Sequence, residues 1–512
     1  MPTVASFPLP ILIPLLYGLT SVVLLRTHAA ATTAWQAGRA ATATAVVACL
    51  ALLPALSGPR LVMLPLITIL GGLILHFSTR YLDGAVHNTR YVAWFLLTLA
   101  GASLVVSTGD LVVLALAWTL TSLALHQVLS LGDARPATAL MAHKKFILSR
   151  IADIAILGGV ALLVASTGHT RIAAILEAVP TAAAWSPALR VATILLAIGV
   201  ILRSAQVPVH GWLLQVMEAP TPVSALLHTG IVNLGAFVLI VLAPLMGAAA
   251  SAQTLLVIAG TATAVLAALA MAAQSNVKGT LAWSTCAQMG FVLIECGLGA
   301  YDLALVHLVA HALYKAHAFL NSGRAVRTAT LRAPQSREPH PAQWVAATLA
   351  SLAMVGGVHR MLHGSWDMDA AAILAVIVVA GAVAPALAQL RRSDGLPALA
   401  AVAVMAVAIP ALYAVWHLLL APMAPARVPV VVPRPILLLA GLAFAGLYLL
   451  HLLLTRGATD RVTRTLYAHA VHGFHLDTLF TRLTVRLWPP KRFRAAAQRR
   501  STTVSSLNEQ AA

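Results

Sequence analysis

The stretch from Arg203 to Asn233, RSAQVPVHGWLLQVMEAPTPVSALLHTGIVN, puts ionisable side chains and prolines inside a long hydrophobic region. Its ionisable residues and prolines are Arg203, His210, Glu218, His228, Pro208, Pro220 and Pro222. A charge at the centre of a membrane costs ~3 kcal/mol or more, so ionisable residues there normally face a cavity or a pathway. Proline removes a backbone donor, which lipid tolerates only where protein or water replaces the lost hydrogen bond. The stretch therefore predicts a broken helix that lines a transport path.

Composition places the whole chain in a membrane. Of the 512 residues, 60% are hydrophobic and only 9% are charged, whereas soluble domains carry about 25% charged residues. Because one span needs ~20 apolar residues, the sequence predicts an all-α, polytopic protein with about fifteen transmembrane helices. Their centres lie near residues 15, 47, 69, 99, 120, 156, 197, 233, 263, 289, 312, 352, 379, 408 and 445.

Basic residues orient these spans. When the connecting loops are numbered in order, the odd-numbered loops hold fourteen Lys and Arg residues, Lys144 and Lys145 among them, and the even-numbered loops hold five. The positive-inside rule then puts the N-terminus in the periplasm and the C-terminus in the cytoplasm of a bacterial inner membrane. The net charge of +18 indicates this orientation and contact with anionic lipid, rather than nucleic acid.

The chain after the last span is polar and basic. Residues Tyr467 to Trp488 mix aromatic, aliphatic and basic side chains at helical spacing, which predicts an amphipathic helix at the membrane surface or a docking surface for a soluble partner. Residues 499–512 are predicted to be disordered.

Further ionisable residues interrupt the central spans, while the first four spans lack them. These candidates for an ion path are Arg150, Asp153, Glu295, His307, His311 and Lys315, with Lys278 in the loop before the tenth span. Arg150 and Asp153 share a helix face, either as part of the path or as a pair that locks a helix. Glu295 lies close enough to a helix end to reach the membrane surface instead.

Three of these residues recur at every fourth position, so His307, His311 and Lys315 form one stripe, with His317 off it. Lysine and histidine change protonation when desolvated, as a proton relay requires, whereas Arg203 stays charged and can only bias its neighbours. We therefore expect Glu218, His228 and the Lys315 stripe to be the protonation sites. The chain has no phosphate-binding loop, haem motif or nucleophile motif, so the sequence predicts a transporter subunit without a cofactor rather than an enzyme.

Four segments resemble the antiporter-like subunits of respiratory complex I, such as NADH-quinone oxidoreductase subunit L, and the Mrp antiporter subunits. They are KKFILSRIADIAIL, the stretch from Arg203, NVKGTLAWSTCAQMGF and HLVAHALYKAHAFLNSG, and the resemblance covers roughly residues 90 to 325. It implies two inverted five-helix repeats, each with a broken helix, and protonatable residues along the membrane midplane. The expected divisions are 1–90 for helices 1–3, 91–246 and 247–392 for the two repeats, 393–455 for the last spans, 456–498 for an amphipathic cytoplasmic or interfacial segment, and 499–512 for the tail.

The sequence departs from that family pattern at three positions. Thr119 follows Trp118 where the family has a glutamate, and Arg203 replaces the lysine of the seventh helix. The lysine of the second broken helix is absent, and His359 and Arg360 are the remaining candidates there. The resemblance therefore does not predict the family's usual lysine–glutamate switch.

A shorter branch, the DabB family of membrane subunits in two-component inorganic-carbon accumulation systems, fits these departures better. AWTLTSLALHQ, MEAPTPVSALLHTGIVN and GFHLDTLFTRLTVRLWP carry the resemblance. It implies that H+ or Na+ flows through this chain and drives CO2 hydration to bicarbonate by a partner, a DabA-like soluble zinc protein on the cytoplasmic face. The alternatives are a subunit of complex I or of an Mrp-type Na+/H+ antiporter, and a membrane anchor for a soluble enzyme.

Overall fold

Helices make up every extended regular element in the part of the chain that the structure, a computed structural model, describes. That part comprises residues 9–27, 29–84, 87–131, 136–179, 185–216, 219–324, 341–363, 421–425, 432–454 and 461–488, with scattered positions between 373 and 420. The first helices are α1 (Leu12–Thr27), α2 (Ala31–Ala51), α3 (Arg60–Tyr81), α4 (Asn88–Ser107), α5 (Leu111–Ser130), α6 (Pro136–Thr167), α7 (Ile172–Ala178) and α8 (Pro187–Arg203). Next come α9 (Gly211–Gln215), α10 (Thr221–Leu226), α11 (Leu234–Val241), α12 (Ala243–Gly247), α13 (Ala250–Ala272), α14 (Val277–Gly297) and α15 (Tyr301–Leu320). The last are α16 (Pro341–His363), α17 (Arg434–Leu454), α18 (Arg461–Val471) and α19 (Thr478–Leu487).

The predicted all-α membrane architecture is confirmed. Among the described residues, eight helices are long and apolar enough to cross a membrane, and two shorter apolar helices, Ala342–Val358 and Arg434–Leu450, accompany them. The predicted centres near residues 379 and 408 fall where only scattered positions are described, so the total of about fifteen spans stays a prediction.

Small residues let the central helices approach closely. A Cβ atom on Gly260 of α13 would lie 2.5 Å from the carbonyl oxygen of Gly290 in α14, and one on Gly290 would lie 2.7 Å from that of Gly260. On α6, a Cβ on Gly159 would lie 2.9 Å from the Ala192 oxygen of α8. Membrane helices associate through such close packing because lipid supplies little hydrophobic drive between them. Asp153 and Arg203, discussed below, lie on the α6–α8 pair, and Glu295 lies on α14.

The loops that the charge pattern assigns to one side of the membrane contact one another. The carbonyl oxygen of Thr108, after α4, accepts a hydrogen bond from Arg60 Nη2, at the start of α3, over 3.0 Å. The neighbouring Asp110 caps α5 by accepting from two backbone N–H groups, as Asp does at helix N-termini, and it pairs with Arg171, before α7, in an isolated β-bridge. The even-numbered loops 2, 4 and 6 thus meet on one face, as alternating spans require.

Lys144 and Lys145 are not loop residues, and this prediction was wrong. α6 is 32 residues long and includes both lysines in its third turn, where they are 0% and 4% exposed. A hydropathy pattern could not distinguish a polar turn surrounded by protein from a loop in water. Without these two, twelve of the fourteen basic residues remain against five in the even-numbered loops, so the direction of the charge bias is unchanged.

The segment from Tyr467 to Trp488 is not one helix, contrary to the predicted pattern. α18 and α19 are separated by a turn in which Gly473, Phe474 and His475 all have positive φ, at 58°, 54° and 57°. This left-handed backbone is uncommon for side chains other than glycine. A Cβ on Gly473 would lie 2.6 Å from the Trp283 ring of α14, so the turn packs directly on a membrane helix.

Candidate functional site

The helix that begins at Pro187 is broken at its end. α8 stops at Arg203, residues 204–210 are non-helical, and α9 is a short turn that starts at Gly211. Pro208 lies in this break, where the backbone N–H of Val207 donates to Thr263 Oγ1 of α13 over 3.1 Å. A neighbouring helix thus satisfies a backbone group that lipid could not.

A second irregularity follows. Pro220 caps α10 and Pro222 lies in its first turn, where the missing N–H would have had no helical partner anyway. α10 continues into a π-helix, Leu227–Ile231, that contains His228, and π-helical turns occur mostly at functional sites. Glu218 lies outside the described residues.

Asp153 is the centre of a buried ion cluster in the first half of the chain. Its carboxylate pairs with Arg150, with 2.7 Å between Oδ2 and Nη2, and its Oδ1 pairs with Arg203 Nη2. Thr119 Oγ1 donates to Oδ1 over 3.0 Å. Asp153 is 5% exposed. We call these residues, together with Lys145, the Asp153 cluster.

Both arginines and Lys145 find further acceptors on α5. Arg203 Nη1 donates to the Trp118 carbonyl oxygen over 2.9 Å, and its guanidinium lies 4.9 Å from the centroid of the Trp118 ring. Lys145 Nζ donates to the Ser122 carbonyl oxygen over 2.6 Å. A cavity of about 20 Å³, lined by Ser122, Lys145 and Arg203 among others, is large enough for about one water molecule. The cluster combines fixed positive charge, one carboxylate and a titratable amine.

A second cluster lies along α14 and α15 and contains Glu295, His307, His311 and Lys315, with His228 from the π-helix. We call it the Lys315 cluster. Lys315 is fully buried, and Nζ donates to the Leu281 carbonyl oxygen over 2.8 Å and to Ser284 Oγ. Both of these acceptors are neutral oxygens rather than carboxylates. A buried ammonium held this way can lose its proton without leaving a carboxylate unpaired.

Two histidines flank this lysine within electrostatic range. His228 is fully buried, its Nδ1 lies 3.0 Å from Thr285 Oγ1, and its ring stacks on Phe319 with centroids 4.6 Å apart. His311 is 4% exposed, and among the described residues neither of its ring nitrogens has a hydrogen-bond partner. An unsatisfied buried imidazole is costly, and its two ring nitrogens are open to hydrogen bonds with a water molecule.

His307 links this region to Glu295. Its Nδ1 lies 3.0 Å from Glu295 Oε1, and its Nε2 lies 2.6 Å from Gln288 Oε1. An imidazolium would donate to both oxygens, whereas a neutral ring could donate to only one of them. The centroids of the His307 and His311 rings are 6.4 Å apart. Titratable groups therefore follow one another from Lys315 to Glu295 within the protein interior.

Other predicted site residues lie away from both clusters. Lys278 is half-buried in the first turn of α14. His210 is buried at the start of α9, and its ring lies 5.0 Å from the Trp283 ring. Arg360 is exposed on α16, and the side chain of His359 lies outside the described residues.

The spacing of polar residues in α6 predicts that Lys145 is buried. Lys145, Ser149 and Asp153 recur every four residues and are 4%, 7% and 5% exposed. This spacing defines one helix face, which would have indicated that the lysine belongs to the buried face of α6.

Metal ligation is not indicated in the described part of the chain, where no group of three or more His, Cys, Asp or Glu side chains could hold a metal ion. Cys49, Cys286 and Cys296 are buried free thiols. The broken helix and the two buried ion clusters define an antiporter-like polytopic membrane protein.

Comparison with known proteins agrees with this class. The family model described as "NADH:quinone oxidoreductase/Mrp antiporter, TM" matches residues 108–338. A chain in the structure of the Mrp complex from Dietzia sp. DQ12-45-1b has a similar fold, with a TM-score of 0.56 and 22% sequence identity. The alignment covers 98% of the present chain and 59% of the Mrp chain.

The more similar curated relatives are DabB subunits. The probable inorganic carbon transporter subunit DabB2 of Halothiobacillus neapolitanus is 34% identical over 455 residues, which cover 87% of this chain and 82% of that protein. The probable inorganic carbon transporter subunit DabB of Hydrogenovibrio crunogenus is 43% identical over 300 residues, but only 58% of each chain is covered. NADH-quinone oxidoreductase subunit L of Mycobacterium tuberculosis is 33% identical over 264 residues, 51% of this chain and 41% of that one. The chain belongs to the DabB family of antiporter-like membrane subunits.

Proposed function

We propose that the protein is the cation-conducting, energy-coupling membrane subunit of a two-component inorganic-carbon pump, and that the cation is H+. The observation that carries the proposal is Lys315, fully buried and held by the Leu281 carbonyl and the Ser284 hydroxyl. A proton path needs a group that can gain and lose a proton inside the membrane, and a lysine amine held by neutral oxygens is such a group. The similarity to the DabB subunits supports inorganic carbon as the transported substrate.

Within this proposal the Lys315 cluster is the proton path. Lys315 exchanges protons with His311, which has unpartnered nitrogens among the described residues, and His307 passes them on to Glu295 at a distance of 3.0 Å. His228 connects this path to the broken helix of the first half. Lys278, in the first turn of α14, is a further titratable group of the proposed path, and Glu218 is proposed to belong to it as well.

The Asp153 cluster has a different role in the proposal. Arg150 and Arg203 stay charged at physiological pH, so they set the local electrostatic potential. Asp153 balances these two positive charges. It takes the place of the glutamate that the complex I subunits have where this chain has Thr119. The changeable charge in this half is the amine of Lys145, which contacts Ser122 and not a carboxylate in the described residues.

The chemistry of CO2 hydration belongs, in the proposal, to a DabA-like soluble zinc protein on the cytoplasmic face. The excess of basic residues in the odd-numbered loops supports an orientation with the C-terminus on that cytoplasmic face and the N-terminus in the periplasm of a bacterial inner membrane. The two five-helix repeats span residues 91–246 and 247–392. Proton flow down its gradient makes hydration by the partner one-way.

A host that lacks carbonic anhydrase tests the function directly. We expect co-expression of this chain with its neighbouring soluble subunit to restore growth in ambient CO2, and a protonophore to abolish bicarbonate accumulation. Uptake of ¹⁴C-labelled inorganic carbon is the measurement, and a sodium ionophore without proton transport is the control for Na+. Accumulation that persists after both gradients have been collapsed would refute cation coupling.

A further inference from the structure

The C-terminal segment, residues 461–488, packs against the membrane helices beside the broken helix. Asp477, at the start of α19, forms an ion pair with Lys144 of α6. The lysine side chain is 0% exposed and the aspartate side chain is 23% exposed. At the end of α19 the Trp488 ring stacks on His143, with centroids 4.0 Å apart and planes inclined by 7°. The buried lysine thus has a carboxylate partner from outside the membrane-spanning helices.

Gly211 makes room for that carboxylate. The Asp477 side chain lies so close to Gly211 that a Cβ atom there would overlap it. A side chain on the first residue of α9, directly after the break, would therefore displace the Asp477 carboxylate from this position.

A cavity of about 420 Å³ opens beside this ion pair. The residues that line it include Gln215, Trp283, His472, His475, Asp477 and Arg482. The cavity has room for many water molecules, and its titratable groups come mainly from the C-terminal segment. Asp477 alone among these six reaches a buried amine.

Polar groups continue inward from the ion pair. His210 is 1% exposed and lies within electrostatic range of Asp477 and Lys144, and its Nδ1 has no hydrogen-bond partner among the described residues. Lys145, next to Lys144 in the chain, belongs to the Asp153 cluster. His210 thus lies near both members of the ion pair, and Lys144 precedes Lys145 of the Asp153 cluster in the chain.

We propose that Asp477 is the carboxylate that passes protons between the 420 Å³ cavity and Lys144, at the mouth of the first half of the path. Its carboxylate takes a proton from a hydronium ion in the cavity, which forms an O–H bond on Asp477 and leaves a water molecule. When Lys144 has given its own proton to the Nδ1 of His210, unpartnered in the described part of the chain, Asp477 transfers its proton to the neutral amine, which restores both the carboxylate and the ammonium. This inference rests on the proposed proton conduction and adds a residue to it.

Proton flux into vesicles that contain the whole two-subunit complex tests this role. We expect Asp477→Asn to lower flux by about tenfold or more, as loss of a charge-assisted hydrogen bond implies, while Asp477→Glu keeps most of it. Gly211→Ala should act like Asp477→Asn because it displaces the carboxylate. Arg486→Gln, an exposed change on the same helix, is the matched control and should leave flux unchanged.

A double variant distinguishes a role of the ion pair in proton transfer from a role in holding α19 against α6. Lys144→Met with Asp477→Leu replaces the ion pair by apolar side chains, which keeps α19 docked without a buried charge. If the double-variant complex retains its partner but shows no proton flux, the proposal is supported. If the double variant restores flux, the ion pair only holds α19 in place, and the proposal is overturned. Wild-type flux in Asp477→Asn would also overturn it, provided that Lys315→Met stops conduction. Full flux in Lys315→Met would instead refute the proposed function itself.

Discussion

Lys315→Met is expected to reduce proton flux and carbon accumulation to the background of empty vesicles while the complex still assembles. Methionine matches the length of the lysine stem but cannot carry a proton. The variant releases the Leu281 carbonyl and the Ser284 hydroxyl, which costs about 1 kcal/mol for each lost hydrogen bond. Because the Leu281 and Ser284 acceptors are neutral oxygens and not carboxylates, the change leaves neither of them as an unpaired buried charge, and the fold is expected to tolerate it.

A histidine two residues away provides the control. His317 lies on the same helix but is exposed and off the stripe, so His317→Gln should keep full flux. Flux is measured with a pH-sensitive dye trapped in vesicles after a membrane potential has been imposed, and assembly is measured by co-purification of the partner. Lys315→Met with normal flux would exclude the Lys315 cluster as the path.

The sequence predicted what depends on local spacing. The prolines and charges after Arg203 predicted a broken helix, and α8 ends at that residue. The spacing of Arg150 and Asp153 predicted a shared helix face, and the two are paired at 2.7 Å. Helical periodicity fixes such relations between neighbours because successive turns superimpose side chains at every third and fourth position.

Contacts between distant segments were not predictable in this way. Asp153 and Arg203 are 50 residues apart, and their pairing depends on how α6 packs on α8 through Gly159 and Gly199. The amphipathic pattern after Tyr467 fits a lipid surface and a protein surface equally well. Only the fold shows that this segment lies against α6 and α13 and brings Asp477 to a lysine 333 positions earlier.

Asp153→Asn is expected to destabilise the protein by about 3–5 kcal/mol, the usual cost of removing one partner from a buried ion pair. The variant leaves Arg150 and Arg203 close together without the compensating carboxylate, and the Arg203 side chain is only 8% exposed, so water screens its charge poorly. The thermal unfolding midpoint of the detergent-solubilised protein should fall, and expression should fall with it. Asp110→Asn is the control, because asparagine caps a helix as well as aspartate does.

A second substitution should recover the lost stability. Thr119 Oγ1 lies 3.0 Å from Asp153 Oδ1, so Thr119→Glu puts a carboxylate beside the same two arginines from the opposite helix. We expect the double variant Thr119→Glu with Asp153→Asn to regain most of the unfolding midpoint, while Thr119→Gln with Asp153→Asn does not. Equal midpoints in the glutamate and glutamine combinations would contradict the view that Asp153 stands in for the acid missing from α5. Recovery by glutamate alone would mean that the buried arginines require one carboxylate but accept it from either α5 or α6.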